Sequence, residues 1–145
     1  PVAALTTTEG PRYRAATISS LTQLSSDPPR FLISIEADSQ MEGWLKQSGV
    51  CGLSFLPWEQ QLLADRFAGL APLADARFED LPHFVAITGS PILSNAIGWA
   101  DCRIVDQQST GDHTLFVAEV VALGAGAARD QPPLIYYQNR YRTLR

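Results

Sequence analysis

Cysteine and histidine are scarce in this chain of 145 residues, with two of each. Cys51 and Cys102 each lie in an apolar, strand-like stretch, which fits buried free thiols better than a disulfide framework. His83 and His113 are far apart and have no cysteine nearby, so the spacing expected of metal ligands is missing. The sequence therefore predicts no metal site, and free thiols suit a reducing, cytoplasmic setting.

Positive charge and long apolar runs are also lacking. The 11 basic residues are outnumbered by 15 acidic ones, for a net charge of −4. A nucleic-acid surface needs a basic stripe, so we expect no nucleic-acid partner. No run is long enough to cross a bilayer and no signal peptide opens the chain, so we expect no membrane partner. Because the chain begins at Pro1 rather than Met, part of the native N-terminus is expected to precede it.

The chain does contain many short runs with strand character, separated by Gly and Pro. Two helices are also predicted: one starts at Ser39 with a capping box completed by Glu42 and ends at Gly49, and the other runs from Pro57 to Gly69. Residues 70–82 and 124–131 are predicted loops, and 107–112 a hairpin connection. This pattern indicates one mainly β domain, an antiparallel barrel with a few short helices. The predicted strands are 2–7, 14–20, 31–35, 50–56, 95–106, 114–123 and 134–137.

The most informative stretch is rich in hydroxyl groups. Thr17, Ser19 and Ser20 are followed by an Asp-Pro-Pro bend and by an apolar strand that contains Ser34. None of these groups ionises near neutral pH, so the stretch is unsuited to acid–base catalysis. It predicts instead a site that positions a hydrogen-bonding ring or a phosphate. The alternative is that the three hydroxyls form the solvent face of a half-buried strand. Ser34 is equally compatible with a buried hydroxyl bonded to a backbone carbonyl.

Five further motifs follow in a fixed order. Together with the hydroxyl stretch, this ordered set resembles the flavin reductase-like family, the small reductases that feed reduced flavin to two-component monooxygenases. The resemblance covers residues 1–145 as a single domain. It implies a Greek-key split β-barrel, a homodimer, FMN or FAD as the flavin, NAD(P)H as the electron donor and a partner monooxygenase. The motifs are Ala64-Asp65-Arg66-Phe67-Ala68-Gly69, Gly89-Ser90-Pro91-Ile92-Leu93, Ile97-Gly98-Trp99-Ala100-Asp101-Cys102, the stretch that starts Gly111-Asp112-His113-Thr114, and Pro133-Leu134-Ile135-Tyr136-Tyr137 with Tyr141 after it.

The resemblance also implies roles for individual residues. His113 is expected to seat the nicotinamide, a positional role, although a turn histidine held by Asp112 is the simpler alternative. The residues expected to bind the flavin are Thr17, Ser19, Ser20, Ser34, Ser39, Arg66 and Phe67.

Three of these flavin-binding assignments have structural alternatives. Ser39 can be a plain helix cap, and the sequence departs from the family at Met41, where a second hydroxyl is common. Glu36 and Asp38 just before the helix oppose a phosphate, which favours exchangeable flavin. Arg66 and Phe67 can simply be a cation at a helix end and a core aromatic.

Tyr137 and Tyr141 either stack on a ring or close the barrel. Two other functions remain open at this point. One is a flavoprotein that holds FMN tightly and transfers electrons without reducing free flavin. The other is an interaction module with the same barrel and no cofactor.

Overall fold

The main sheet has seven antiparallel strands in the computed structural model, which describes residues 1–68, 78 and 80–144. The outermost strands follow each other in the chain and are joined only by Ser19 and Ser20, a pair that we call the corner. The sheet therefore curls until its two edges meet there, which confirms the predicted mainly β split barrel with short helices. In spatial order the strands are β2 (Arg12–Ile18), β1 (Ala3–Glu9), β5 (Val50–Phe55), β8 (Gly98–Thr110), β9 (His113–Ala125), β4 (Pro29–Glu36) and β3 (Leu21–Ser26).

Smaller elements pack around this sheet. Two short sheets pair β6 (His83–Val85) with β7 (Pro91–Leu93) and β10 (Ile135–Tyr137) with β11 (Arg140–Arg142). The helices are α1 (Gln40–Ser48) and α2 (Gln61–Phe67), and a short 3₁₀ helix (Trp58–Gln60) precedes α2. None of the helices built from the described residues is long and apolar enough to cross a membrane.

The capping prediction for α1 is confirmed. The Ser39 hydroxyl accepts a hydrogen bond from the backbone N–H of Glu42 at 3.2 Å. At the other end Gly49 has a φ of +70°, a conformation that glycine adopts without a steric penalty, and its N–H donates to the Leu45 carbonyl at 2.9 Å. Met41 and Leu45 are buried against the barrel interior, so both caps serve to place this apolar face.

Several predicted strand boundaries are wrong. The strand expected over 14–20 ends at Ile18, and β3 follows as a separate edge strand whose mostly exposed residues lack a clear alternating pattern. The strand expected over 95–106 begins only at Gly98 and continues to Thr110, because polar residues 107–110 still pair through their backbones with β9. The strand expected over 114–123 is longer at both ends and spans His113–Ala125. The turn is then only Gly111 and Asp112, with Gly111 at a φ of +57°.

Other differences involve the short elements. The helix predicted to open at Pro57 begins as the 3₁₀ helix and becomes α-helical only at Gln61. The strands β6, β7 and β11 were not predicted, and Gly124 and Ala125 belong to β9 rather than to a loop. Gly69 as a helix end and most of the predicted loop 70–82 lie outside the described residues.

Two apolar clusters hold the fold together. The first fills the barrel, with Leu5, Ile33 and Phe116 among its fully buried members. The second lies under α2, where Leu63 and Phe67 pack with Phe78 and Leu134. The second cluster therefore fixes α2 and the segment before β10 on the outside of the barrel, next to β2.

The two cysteines belong to the first cluster. Cys51 and Cys102 are directly opposite each other on β5 and β8, and both are fully buried and free. A hydrogen bond with the Cys102 thiol, together with burial, raises the pKa of Cys51 well above its usual value. The Cys51 thiol therefore stays protonated, and the burial of both free cysteines confirms the prediction.

Candidate functional site

Two adjoining depressions meet at the corner. Ser19 lines both, so a ligand can extend from one into the other. The first, which we call the tyrosine depression, has a volume of about 140 Å³ and is lined by Val2, Thr17, Ile18, Ser19, Ala68, Tyr136 and Tyr141. The second, the serine depression, has a volume of about 300 Å³ and is lined by Ser19, Ser20, Leu21, Thr22, Leu32 and Ser34.

Reciprocal hydrogen bonds fix the corner on β4. The Ser20 hydroxyl donates to the Ser34 carbonyl at 2.7 Å, and the Ser34 N–H donates to the Ser20 carbonyl at 3.0 Å. The backbone at the corner is thereby held without help from a ligand. The lone pairs of the Ser20 hydroxyl are still free to accept a hydrogen bond, because the bond to Ser34 uses only its proton.

Thr17 joins β2 to α2. Its hydroxyl donates to the Ala64 carbonyl at 2.5 Å, across 47 residues of sequence. This contact sets the position of α2, whose C-terminal neighbour Ala68 lines the tyrosine depression. Thr17 therefore shapes the wall of the depression, and its proton is not available to a ligand.

Ser19 differs from its neighbours because its side chain is exposed and forms no hydrogen bond with any residue that the structure describes. Its hydroxyl can both donate and accept. Of the predicted hydroxyl residues at the corner, Ser19 is therefore the one best placed to bond a ligand directly.

The tyrosine depression owes its aromatic wall to the β10–β11 hairpin. Tyr136 and Tyr141 are opposite each other in this pair, with ring centroids 5.5 Å apart and planes at 62°. Burial, with the nearby negative charge of Asp65, raises the pKa of Tyr141 to about 12. Tyr137 is 62% exposed and does not line the depression, so of the two tyrosines predicted as candidates only Tyr141 lies at this site.

Sequence reasoning did not identify Tyr136, Val2, Ile18 or Ala68 as site residues. The motif that contains Tyr136 was recognised, but the cross-strand register that places this ring next to Tyr141 is a tertiary feature. A two-residue polar connection between Tyr137 and Arg140 was the available signal, because it is typical of a tight hairpin.

His113 lies beside the serine depression without lining it. It is the first residue of β9 and is opposite Glu36 on β4. Residues opposite each other share a face of the sheet, and every second residue returns to it, so His113 is on the same face as Ser34. Its Nδ1 lies 2.8 Å from Asp112 Oδ1. This contact lowers the pKa of Asp112, and 44% of the His113 side chain remains exposed.

The other predicted ligands are placed elsewhere. Ser39 caps α1, and Arg66 is a half-buried residue on α2 that forms no ion pair with another described residue. Phe67 is only 5% exposed, and its ring stacks on Phe78 at 5.6 Å. Phe67 is thus a core residue in this structure, and none of these three lines either depression.

The start of α1 is electrically negative. The Glu42 carboxylate, 8% exposed, accepts hydrogen bonds from the Thr114 hydroxyl and from the Asp38 N–H at 3.4 Å, and it pairs with Lys46 Nζ at 3.3 Å. The hydrogen bond from Thr114, with the contribution of Lys46, lowers the pKa of Glu42, which therefore stays ionised. Since Glu36 and Asp38 precede it, this helix end disfavours an anion in spite of its dipole.

The residues of this site can bind and orient a ligand. Among the described residues there is no group of three or more His, Cys, Asp or Glu side chains that could hold a metal ion. The depressions offer hydroxyl groups, backbone edges and aromatic rings. Such a set fits a ligand with a planar ring and a hydroxylated chain better than a small charged substrate.

Comparisons with known proteins identify the family of this chain. The family described as Flavin reductase like domain matches residues 1–145, so the chain belongs to that family, as the motifs predict. The chain is 32% identical over 139 residues to the FMN reductase (NADH) RutF of Variovorax paradoxus (strain S110), which covers 95% of this chain and 76% of that protein.

Solved structures give the same result. Flavin reductase PheA2 in its native state has a TM-score of 0.89 and 26% identity, over 99% of this chain and 89% of that chain. The styrene monooxygenase flavin reductase of Pseudomonas putida S12 has a TM-score of 0.84 and 28% identity, over 99% of this chain and 90% of that chain.

Proposed function

We propose that this chain is an NADH-dependent flavin reductase that takes up FMN or FAD, reduces it and releases it to a partner monooxygenase. The observation that carries the proposal is the pair of depressions joined at Ser19, one aromatic and one lined by hydroxyls. The names of the relatives support the same reaction, and that of RutF supports NADH as the donor. NADPH is the second candidate donor.

In this reaction the dihydronicotinamide supplies two electrons as hydride to the oxidised flavin ring. The contribution of the protein is to hold two rings in contact and to exclude water between them. No protein group has to take or give a proton at the carbon that reacts. This is consistent with a site made of serine, threonine and tyrosine.

The corner residues have separate roles in this proposal. Ser19 bonds the polar edge of the flavin directly, while Ser20 and Ser34 hold the corner in place and accept hydrogen bonds from the hydroxylated chain. Thr17 positions the wall formed by α2 through its bond to Ala64. His113, on the same face as Ser34, seats the carboxamide or the pyrophosphate of the dinucleotide.

The acidic start of α1 supports weak, exchangeable binding of the flavin. A phosphate brought to the end of β4 meets Glu36, Asp38 and Glu42, and the ammonium group of Lys46 is already paired with Glu42. This is an argument against the tightly FMN-holding electron carrier. Arg66 has no described ionic partner and is the candidate to offset part of this negative charge.

The proposal extends to assembly and location. We propose a homodimer, for which the exposed edge strand β3 offers a surface, with Leu24 49% exposed on it. The free, buried thiols of Cys51 and Cys102 support a cytoplasmic location.

The test is NADH and NADPH consumption by the purified protein, with and without added FMN, FAD or riboflavin. Consumption that rises with free flavin is expected, and the preferred pair identifies both substrates. Folded protein that consumes neither donor with any flavin contradicts the proposal.

A matched pair of variants links this activity to the corner. Ser19→Ala should raise KM for flavin about two- to tenfold, the loss expected for one hydrogen bond. Ser109 is an exposed serine on the β8 side of the hairpin tip, and Ser109→Ala should leave KM for flavin unchanged.

A further inference from the structure

The pair formed by Tyr136 and Tyr141 is more exposed than an ordinary core aromatic cluster. Tyr136 is 48% exposed and belongs to neither apolar cluster, whereas Tyr141 packs against the second one. A large aromatic ring that is half exposed in a concave surface is available to a ligand. The exposed ring of Tyr136 therefore calls for an explanation other than closure of the core.

The hairpin that carries the pair is anchored at its start and has a tight turn. Before it, buried Leu134 donates its N–H to Leu56 at 2.9 Å and accepts from Val2 at 3.0 Å. In its turn Gln138 and Asn139 have φ values of 50° and 60°, the geometry of a tight two-residue connection between twisted strands. Tyr136 is therefore held in position although its side chain is exposed.

The chemistry of the depression is complementary to an aromatic ring with polar edges. The aromatic wall stands next to Ile18 and Val2, while Thr17 and Ser19 provide the polar side. The Tyr141 hydroxyl faces Asp65 and stays protonated at physiological pH, so the wall carries no phenolate charge. Beyond Ser19 the serine depression continues with Ser20, Thr22 and Ser34, which suits a hydroxylated chain attached to such a ring.

We propose that Tyr136 and Tyr141 bind a planar, nitrogen-containing ring in the tyrosine depression. This rests on the proposed function, in which two rings of this kind, the isoalloxazine and the nicotinamide, have to meet. Both share the chemistry that the pair recognises. Tyr136 is the contact residue, and Tyr141 both contributes to the wall and holds Tyr136 in place through the edge-to-face contact.

The experiment is a titration of FMN with protein in the absence of NADH, followed by flavin fluorescence, which a neighbouring tyrosine quenches. Tyr136→Leu removes the ring at a site outside both clusters, so it should leave the melting temperature nearly unchanged. We expect weaker FMN binding by about two- to tenfold and less quenching at saturation, as one aromatic contact implies. Tyr136→Phe should restore both.

The matched control is Tyr137→Leu, which removes the adjacent, more exposed ring outside the depression and should alter neither quantity. Tyr141→Phe adds a second variant that keeps the wall and removes only the hydroxyl facing Asp65. It should retain the quenching.

Steady-state kinetics separate the two possible ligands. If Tyr136→Leu weakens FMN binding, the ring is the isoalloxazine. If FMN binding is unchanged but KM for NADH rises at constant kcat, the ring is the nicotinamide. If Tyr136→Leu changes neither, the proposal is overturned, even when the wild type reduces flavin. Conversely, if the wild type consumes no NADH but binds FMN through Tyr136, the proposed reductase activity is wrong and the proposed ring-binding role of Tyr136 is supported.

Discussion

The hydrogen bond between Thr17 and Ala64 offers a quantitative test of how α2 is positioned. Thr17→Val keeps the shape of the side chain and removes its only polar group. The Ala64 carbonyl is not left without a partner, because it also accepts the N–H of Ala68 at 3.0 Å. The variant therefore loses the net value of one hydrogen bond and does not incur the larger cost of an unsatisfied buried carbonyl.

We expect the free energy of unfolding to fall by about 0.5–1.5 kcal/mol. For a chain of 145 residues this corresponds to a decrease of about 2–4 °C in Tm per kcal/mol. Thermal unfolding followed by circular dichroism measures the shift. Thr110→Val, an exposed threonine at the tip of the β8–β9 hairpin, is the control and should leave Tm unchanged.

The same variant should also affect the site, because α2 carries Ala68 into the wall of the tyrosine depression. Weaker flavin binding should accompany the loss of stability. A loss of more than about 3 kcal/mol would show that the Ala64 carbonyl is in fact left unsatisfied. An unchanged Tm would show that the bond does not hold α2, and the account of the wall would then be wrong.

Three further outcomes follow from the site. His113→Ala should raise KM for NADH about fivefold with flavin affinity nearly intact, and an unchanged KM removes His113 from the site. Ser20→Leu removes the hydrogen bond to the Ser34 carbonyl and fills the serine depression, so a flavin titration should show binding weakened about tenfold. Unaltered flavin binding would show that the corner has only a structural role. Glu42, with a pKa below its usual 4.5, stabilises the fold fully above that value and loses this contribution as pH falls through the lowered pKa. Glu42→Gln should therefore lower the free energy of unfolding at neutral pH, and the variant should lose less stability on acidification than the wild type does. Urea unfolding at neutral and acidic pH measures both effects, and an equal destabilisation by the substitution at the two pH values contradicts this reasoning.

Local sequence signals predicted the parts of the fold that depend on local chemistry. The hydroxyl of Ser39, the glycine at position 49 and the prolines at the start of β4 each act within a few residues, so their effects can be predicted without a partner. The edge strand β3 was missed for the opposite reason. Only Leu21 and Ser25 are half buried in it, and its pairing with β4 depends on backbone groups that have no side-chain signal.

At the site, too, the sequence predicted the local features but not those that depend on tertiary contacts. A hydroxyl-rich stretch indicated the location of the corner, but not which hydroxyl is free. Thr17 and Ser20 are bonded to carbonyls 47 and 14 residues away, contacts that exist only in the folded chain. The Tyr136–Tyr141 pair likewise depends on a register that periodicity cannot reveal.

The open seam between β2 and β3 has a consequence for stability. These strands share no ladder hydrogen bonds in the described sheet, so the barrel is closed at this point only by the corner and by the side chains around it. A molecule seated in both depressions touches β2, β3 and β4 at once and completes the enclosure that the backbone leaves unfinished. Its binding energy then adds directly to folding, about 2.7 kcal/mol at a ligand concentration 100 times Kd. The amides of the two edge strands should exchange with solvent more slowly as flavin is added, so the barrel itself reports the occupancy of its site.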